Sequence, residues 1–354
     1  MTRVIGVRSV RTSVVLADGR QLFYFDDGPG HDRTAPDTRS LHAFAPGAEL
    51  RHDRLTGEPV LVAAHRQTRT VSSAGGDCPL CPSRPGHPTE IPAGDYHVAV
   101  FENRFPSLGG PVGGRCEVVS FSSDHDRSFA GLSDARRFTI GRAWADRTAA
   151  LSAVPGVEQV FVFENRGAQV GATLSHPHGQ IYAYPYLPPV QASVLRAARA
   201  HRAAGGGCLL CPIVADQAAG PLVVAETEGF VAFVPEAARW PYEVHIAPRG
   251  CVPYLTGLDD EGLAELMYLY GDVLSRFEDL FGDGETAYMA CWHQPPLHQT
   301  DLTHFYVQVF TTRRSADRWK FLASSESGAG AFINDVLPET AAERLRNVRV
   351  RGRA

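Results

Sequence analysis

The chain carries one ligand-bearing unit twice, and this duplication constrains its fold more than any other feature. Cys78-Pro79-Leu80-Cys81 and Cys208-Leu209-Leu210-Cys211 are two Cys-x-x-Cys units, and the residues after them keep the same order and spacing. Strand-like runs come next, at 96–101 and 229–234. His125 stands six residues before Gly131, and Cys251 stands six before Gly257. Ser133 and Asp259 are good N-caps, each opening an amphipathic stretch of helical length, to about Ser152 and about Leu280. Apolar strands come after these helices, at 159–163 and 287–291. Asn165 then precedes His176 by eleven residues, as His293 precedes His304. The pattern predicts an α+β chain of two fused repeats, each an antiparallel sheet with a helix across it. The expected boundaries are an N-terminal extension at 1–47, a first repeat at 48–187 and a second at 188–354. The second repeat would open with a linking helix over 188–204 and close with a C-terminal helix. In the extension, Asp18-Gly19 between apolar runs reads as a hairpin.

The densest chemistry is His176-Pro177-His178-Gly179-Gln180, which runs into a strand. Period-two geometry puts His176, His178 and Gln180 on one face. Three polar side chains converging there make poor core material. They suit a nucleophile, a donor to a developing anion and a metal ligand. Gly179, lacking a side chain, is expected to allow close approach of a bulky phosphorus centre.

Seven cysteines and a formal net charge of −5 frame the metal question. Nothing in that charge suggests non-specific nucleic-acid binding. No apolar run is long enough for a bilayer, and the first ten residues lack a signal peptide's apolar core. The default expectation is therefore a cytoplasmic protein whose cysteines are thiols or metal ligands rather than disulfides. Cys78, Cys81, His125 and His176 form a Cys₂His₂ set, complete for a closed, structural zinc. The repeat brings Cys208, Cys211, Cys251 and His304 to the same four positions, a Cys₃His set equally suited to zinc.

The halves part at one position: the first has His178 where the second has Tyr306. A neutral imidazole is a good nucleophile towards phosphorus near neutral pH, and a phenol with a pKa of about 10 is not. This implies one active site per chain, built on His178. The sequence offers it no carboxylate pair, Ser-His-Asp order or Walker loop. Gln180 is a neutral donor for phosphate oxygens, Arg66 and Arg69 are cations for phosphates, and Phe101 with Asn103 offers a ring and an amide for a base. Nucleotidyl transfer through a covalent histidine fits these groups.

From Phe163-Glu164-Asn165-Arg166-Gly167 through the pentapeptide, the chain resembles the galactose-1-phosphate uridylyltransferases of the histidine triad superfamily, over about residues 51–346. The resemblance implies two fused histidine-triad-like repeats in a homodimer. It also implies exchange between UDP-glucose and galactose 1-phosphate, giving glucose 1-phosphate and UDP-galactose through a uridylyl-histidine. By position, His178 resembles the nucleophile, and Gln180 the glutamine that holds the uridylyl phosphate. Asn165 resembles a substrate-positioning residue, Gly171 and Thr173 fall in the phosphate-binding loop, and Arg66 and Arg69 match a basic pair. Phe101 and Asn103 match the uridine pair, while Lys320, Phe321 and Glu326 match residues near the hexose supplied across the dimer interface. Cys78, Cys81, His125 and His176 resemble the family's zinc ligands.

Two departures stand out. A second metal site of some members would fall at Val194, His293, Tyr306 and Gln308, where only His293 survives, so no iron site is expected. A hexose-contacting glutamine falls near Phe332 or Ile333, which leaves sugar selectivity open. Two other readings stay open: an ADP-sugar or dinucleotide phosphorylase of the same superfamily, and a non-catalytic, zinc-supported nucleotide-binding module.

Overall fold

Period-two burial sorts each strand's side chains onto two faces, and the whole molecule is arranged on that division. A computed structural model describes residues 9–68, 78–284 and 286–348. In chain order, β1 (Val10–Val15) and β2 (Gln21–Asp26) form a hairpin, and β3 (Glu49–His52) and β4 (Pro59–Val62) form a small separate ribbon. Then come β5 (Val98–Glu102), β6 (Arg115–Ser120), α1 (Asp134–Ser152), β7 (Gln159–Arg166) and β8 (His178–Tyr184). Helix α2 (Pro189–Ala203) links to α3 (Leu210–Ala218), β9 (Val223–Glu226), β10 (Phe230–Phe233) and β11 (Tyr242–Pro248). These lead to α4 (Asp260–Asp279), β12 (Tyr288–His293) and β13 (Tyr306–Thr311). A ribbon of β14 (Arg313–Ser315) and β15 (Arg318–Trp319) precedes α5 (Ser324–Ala329) and α6 (Pro338–Asn347).

Eleven strands join in one antiparallel sheet, in the order β1-β2-β5-β6-β8-β7-β12-β13-β11-β10-β9. The inner eight are palindromic: β5-β6-β8-β7 meets its own repeat, β12-β13-β11-β10, at the β7–β12 seam, where Glu164 stands opposite Ala290. The predicted α+β repeats are therefore present, fused edge to edge into a single sheet.

The two repeat helices lie together on one face. Ser133 caps α1 by accepting from the Arg136 amide, and Asp259 caps α4 by accepting from Gly262, as the sequence predicts. The helices pack closely where Gly141 meets Met267: a Cβ at Gly141 would stand 2.8 Å from the methionine Cγ. Val98 and Val100 of β5 join this core, as do Phe230 and Ala232 of β10. The alternate residues, Ala99 and Phe101, face the other side with Cys78, Leu80 and Tyr96, and Val231 and Phe233 do the same against α3. Each Cys-x-x-Cys unit thus packs on the face of its own half opposite α1 and α4. No helix among the described residues is long and apolar enough to cross a membrane.

Candidate active site and metal centres

Strand β8 begins at His178, so His176 stands just ahead of it, and the two imidazoles serve different places. His178 and Gln180 are half-buried on the face opposite α1 and α4, while Gly179 and Ile181 are buried on the other. This corrects the expectation for Gly179. Strand alternation turns it away from His178, and a Cβ there would stand 3.0 Å from both the Phe121 ring and the Phe163 carbonyl oxygen. The glycine serves core packing, not access to phosphorus.

The His178 ring is fixed by one bond: Nδ1 donates to the main-chain oxygen of His176 at 2.8 Å. That choice of tautomer leaves the Nε2 lone pair free. Burial lowers the His178 pKa against the opposing effect of that hydrogen bond, and Arg166 lowers it further, so the imidazole is neutral near pH 7.

His176 turns towards the cysteine loop. Its Nδ1 lies 3.6 Å from Cys81 Sγ and 3.4 Å from His125 Nδ1, and His125 Nδ1 is 3.4 Å from Cys81 Sγ. The ligand atoms of Cys78, Cys81, His125 and His176 all lie within 4.8 Å of one another. A zinc tetrahedron with its usual N and S bond lengths has edges of about 3.3–3.8 Å, so these spacings fit the ion. The far nitrogens are anchored as ligand histidines require: His176 Nε2 at 2.7 Å from the Ser122 carbonyl and 2.9 Å from the Tyr96 hydroxyl, His125 Nε2 at 2.9 Å from Ser175 Oγ. Without a cation, burial and the neighbouring Cys78 thiol push Cys81 up to about 12. A bound divalent ion removes that penalty.

The second set converges too. Cys208 and Cys211 Sγ lie 3.4 and 3.6 Å from His304 Nδ1, and Cys251 completes a group within 4.8 Å. Burial acts to raise the Cys208 thiol, but hydrogen bonds from His304 and the backbone outweigh it, bringing it down to about 6. The outer shell is thinner than in the first half. Cys251 is exposed, and among the described residues nothing bonds the buried Nε2 of His304.

Two cavities meet at His178. One, of about 160 Å³, is lined by Arg66, Phe101, Asn103 and Gln180; the other, of about 360 Å³, by Asn165, Arg166 and the loop beyond β7. His178, Thr173 and Leu174 line both. Arg66 is held by donating to the Phe105 carbonyl at 2.9 Å. Gly171 takes a left-handed conformation, φ 82°, in the turn of the loop and lines neither cavity. Arg69 lies outside the described residues. Lys320, Phe321 and Glu326 are not brought to either cavity: Lys320 is buried in an ion pair with Glu326 at 2.8 Å, and Phe321 is 83% exposed. Sequence reasoning missed Glu278, which lines the larger cavity from α4 of the other half, and Glu90, which lines the smaller. Neither carries a local motif.

The chain matches the model of the galactose-1-phosphate uridyl transferase N-terminal domain over residues 110–188, and that of the C-terminal domain over 206–352. A galactose-1-phosphate uridylyltransferase of Streptomyces lividans is 45% identical over 348 residues, covering 96% of this chain and 98% of its own. One from Thermotoga maritima is 38% identical, covering 85% and 99%. Among solved structures, a uridylyltransferase superposes with a TM-score of 0.76 at 29% identity, over 84% of this chain and 97% of that one. An ADP-glucose phosphorylase from Arabidopsis thaliana, with bound ADP-glucose, gives 0.68 at 25% identity, over 86% and 99%. The chain belongs to the galactose-1-phosphate uridyl transferase family.

Proposed function

We propose that this chain transfers a uridylyl group between UDP-glucose and galactose 1-phosphate, by two displacements at His178. The observation that carries the reading is the position of that ring at the junction of two cavities, with Nε2 unencumbered. Nε2 attacks the α-phosphorus of UDP-glucose, an N–P bond forms, and the P–O bond to glucose 1-phosphate breaks. That leaving group is a weakly basic phosphate, with a second pKa of about 6, so no strong general acid is required. A phosphate oxygen of galactose 1-phosphate then attacks the same phosphorus, and the N–P electron pair returns to Nε2. Through both steps the Nδ1–H bond to His176 steadies the ring as it gains positive character. Gln180 donates to the non-bridging oxygens, and Arg66, with Arg69, holds phosphate. Phe101 and Asn103 take the uridine, Asn165 and Thr173 shape the sugar-phosphate side, and Gly171 makes the turn of their loop.

Zinc at Cys78, Cys81, His125 and His176 pins the cysteine loop beneath β8, and zinc at Cys208, Cys211, Cys251 and His304 does the same for the second half; both are structural. A homodimer supplies Lys320, Phe321 and Glu326 from the neighbouring copy, because they do not line the His178 cavities of their own chain. The units are 1–47, 48–187 and 188–354, and unpaired cysteines suit the reducing cytoplasm.

Initial rates with varied UDP-glucose and galactose 1-phosphate should give the parallel double-reciprocal lines of a ping-pong enzyme, with UDP-glucose preferred over ADP-glucose as donor. Faster turnover of ADP-glucose with inorganic phosphate would favour the phosphorylase reading instead.

A further inference from the structure

The N-terminal segment reaches the smaller cavity through a chain of buried charges. Arg20, just after the β1–β2 turn, is buried and donates three ways: to Asp18 at 2.7 Å, to the Glu102 carbonyl at 2.7 Å and to Glu90 Oε2 at 2.5 Å. Arg39, from the stretch after the hairpin, pairs with Asp37 at 2.7 Å and meets Glu90 Oε1 at 2.8 Å. Glu90 belongs to the loop beyond Cys81, and it is the only acid among the described residues lining the cavity of Phe101 and Asn103. The Arg104 guanidinium, on the same cavity, lies 3.8 Å from it.

A carboxylate is out of place beside a diphosphate, so it must face the neutral part of the ligand. Each Glu90 oxygen takes one arginine and retains a free lone pair, and a carboxylate can only accept. Its ligand partner must therefore be a donor. Asn103 has its Oδ1 occupied by the Phe105 amide at 2.9 Å, which leaves its NH₂ to meet a carbonyl of the base. Uridine offers donors at N3–H of the base and at the two ribose hydroxyls; N3–H lies between the two carbonyls on the edge left to Asn103, whereas the adjacent hydroxyls match a carboxylate with a lone pair free on each oxygen. We propose that Glu90 binds the 2′,3′-diol of the donor ribose, and that the N-terminal segment, through Arg20 and Arg39, is the clamp that holds it in place. This assigns residues 18–39 a part in donor selection, and it rests on the UDP-sugar reading above.

The test compares UDP-glucose with its 2′,3′-dideoxyribose analogue as reagents that label the full-length protein, reading kcat/KM for each. The parent should favour the diol by about 100-fold or more, because a site built to bond hydroxyls rejects analogues lacking them. Glu90→Gln should cut that preference at least about tenfold, and Arg39→Met should cut it in the same direction by less. If Glu90→Gln does not fold, Glu90→Asp, which keeps the charge for Arg20 and withdraws the carboxylate by one methylene, carries the same expectation. An unchanged preference in these variants, or a parent indifferent to the diol, overturns the inference. A parent that UDP-glucose does not label at all overturns the donor reading instead.

Discussion

In the first half the ladder Phe101–Val118–Gln180 runs across β5, β6 and β8 beside His178; in the second, Phe233–His245–Gln308 runs across β10, β11 and β13 beside Tyr306. The backbones match and the polar groups end differently. Tyr306 lies between the His245 and His293 rings, with centroids 5.0 and 4.7 Å away. His293 is bonded at both nitrogens, by Gln191 at 2.8 Å and Gln308 at 3.0 Å, and Gln308 donates to Glu243 at 2.6 Å. The Gln191, His293, Gln308 and Glu243 side chains thus bond to one another, although Tyr306 and His245 line a cavity of about 320 Å³. In the first half, Nε2 of His178 and the Gln180 amide have no such partners among the described residues and open onto cavities. The difference teaches that one scaffold can spend its polar groups on stability or leave them available for chemistry.

The largest effect should come from the pair His178→Ala and Tyr306→Phe. Exchange should fall by about 10⁴-fold or more in the first and stay within about twofold in the second, measured as steady-state kcat/KM. A large loss from Tyr306→Phe would mean that the second half is not silent.

The metal sets come next. Cys81→Ser should remove one zinc by elemental analysis and destabilise the chain by several kcal/mol, because a buried, well-braced set loses a ligand. Cys251→Ser should also remove one zinc but cost less, roughly 1–3 kcal/mol, since its site is open and its histidine lacks an outer partner. Equal losses would erase the distinction between the two centres.

At the seam the effect depends on pH. Glu164 of β7 accepts from Tyr270 at 3.0 Å and Tyr288 at 2.8 Å, both from the second half. Burial raises its carboxyl to about 7, despite those bonds. The folded pKa lies above the unfolded one, so Glu164 contributes most below about pH 4.5, and that contribution is lost as pH rises through about 7. Glu164→Gln, neutral throughout, should therefore gain stability relative to the parent by up to about 3 kcal/mol between pH 5 and 8, read from urea midpoints. A flat difference across that range would mean that Glu164 is ionised in the folded protein.

The features legible in the sequence were local or periodic. The caps at Ser133 and Asp259, the spacing from Asn165 to His176, and the two sets of ligands are fixed offsets along one chain, and the repeat doubled each signal. The hidden features depend on long-range approach. Gly179 looked like a catalytic glycine until β8 turned it against Phe121. Glu90, on the cavity, is held by Arg20 and Arg39, seventy and fifty-one residues earlier. Cys211 sits in the first turn of α3, whereas Cys81 lies in a turn, a difference that the shared Cys-x-x-Cys spelling does not reveal. The residues matched to the hexose, Lys320, Phe321 and Glu326, lie away from the cavities that the single chain forms.

The central claim is that one imidazole, and only one, carries the nucleotide between donor and acceptor. Mass spectrometry of the protein mixed with UDP-glucose alone tests it directly. The account predicts a gain of one uridylyl group per chain, mapped to the peptide containing His178 and removed by galactose 1-phosphate. No gain, or a label on the second half, would contradict it.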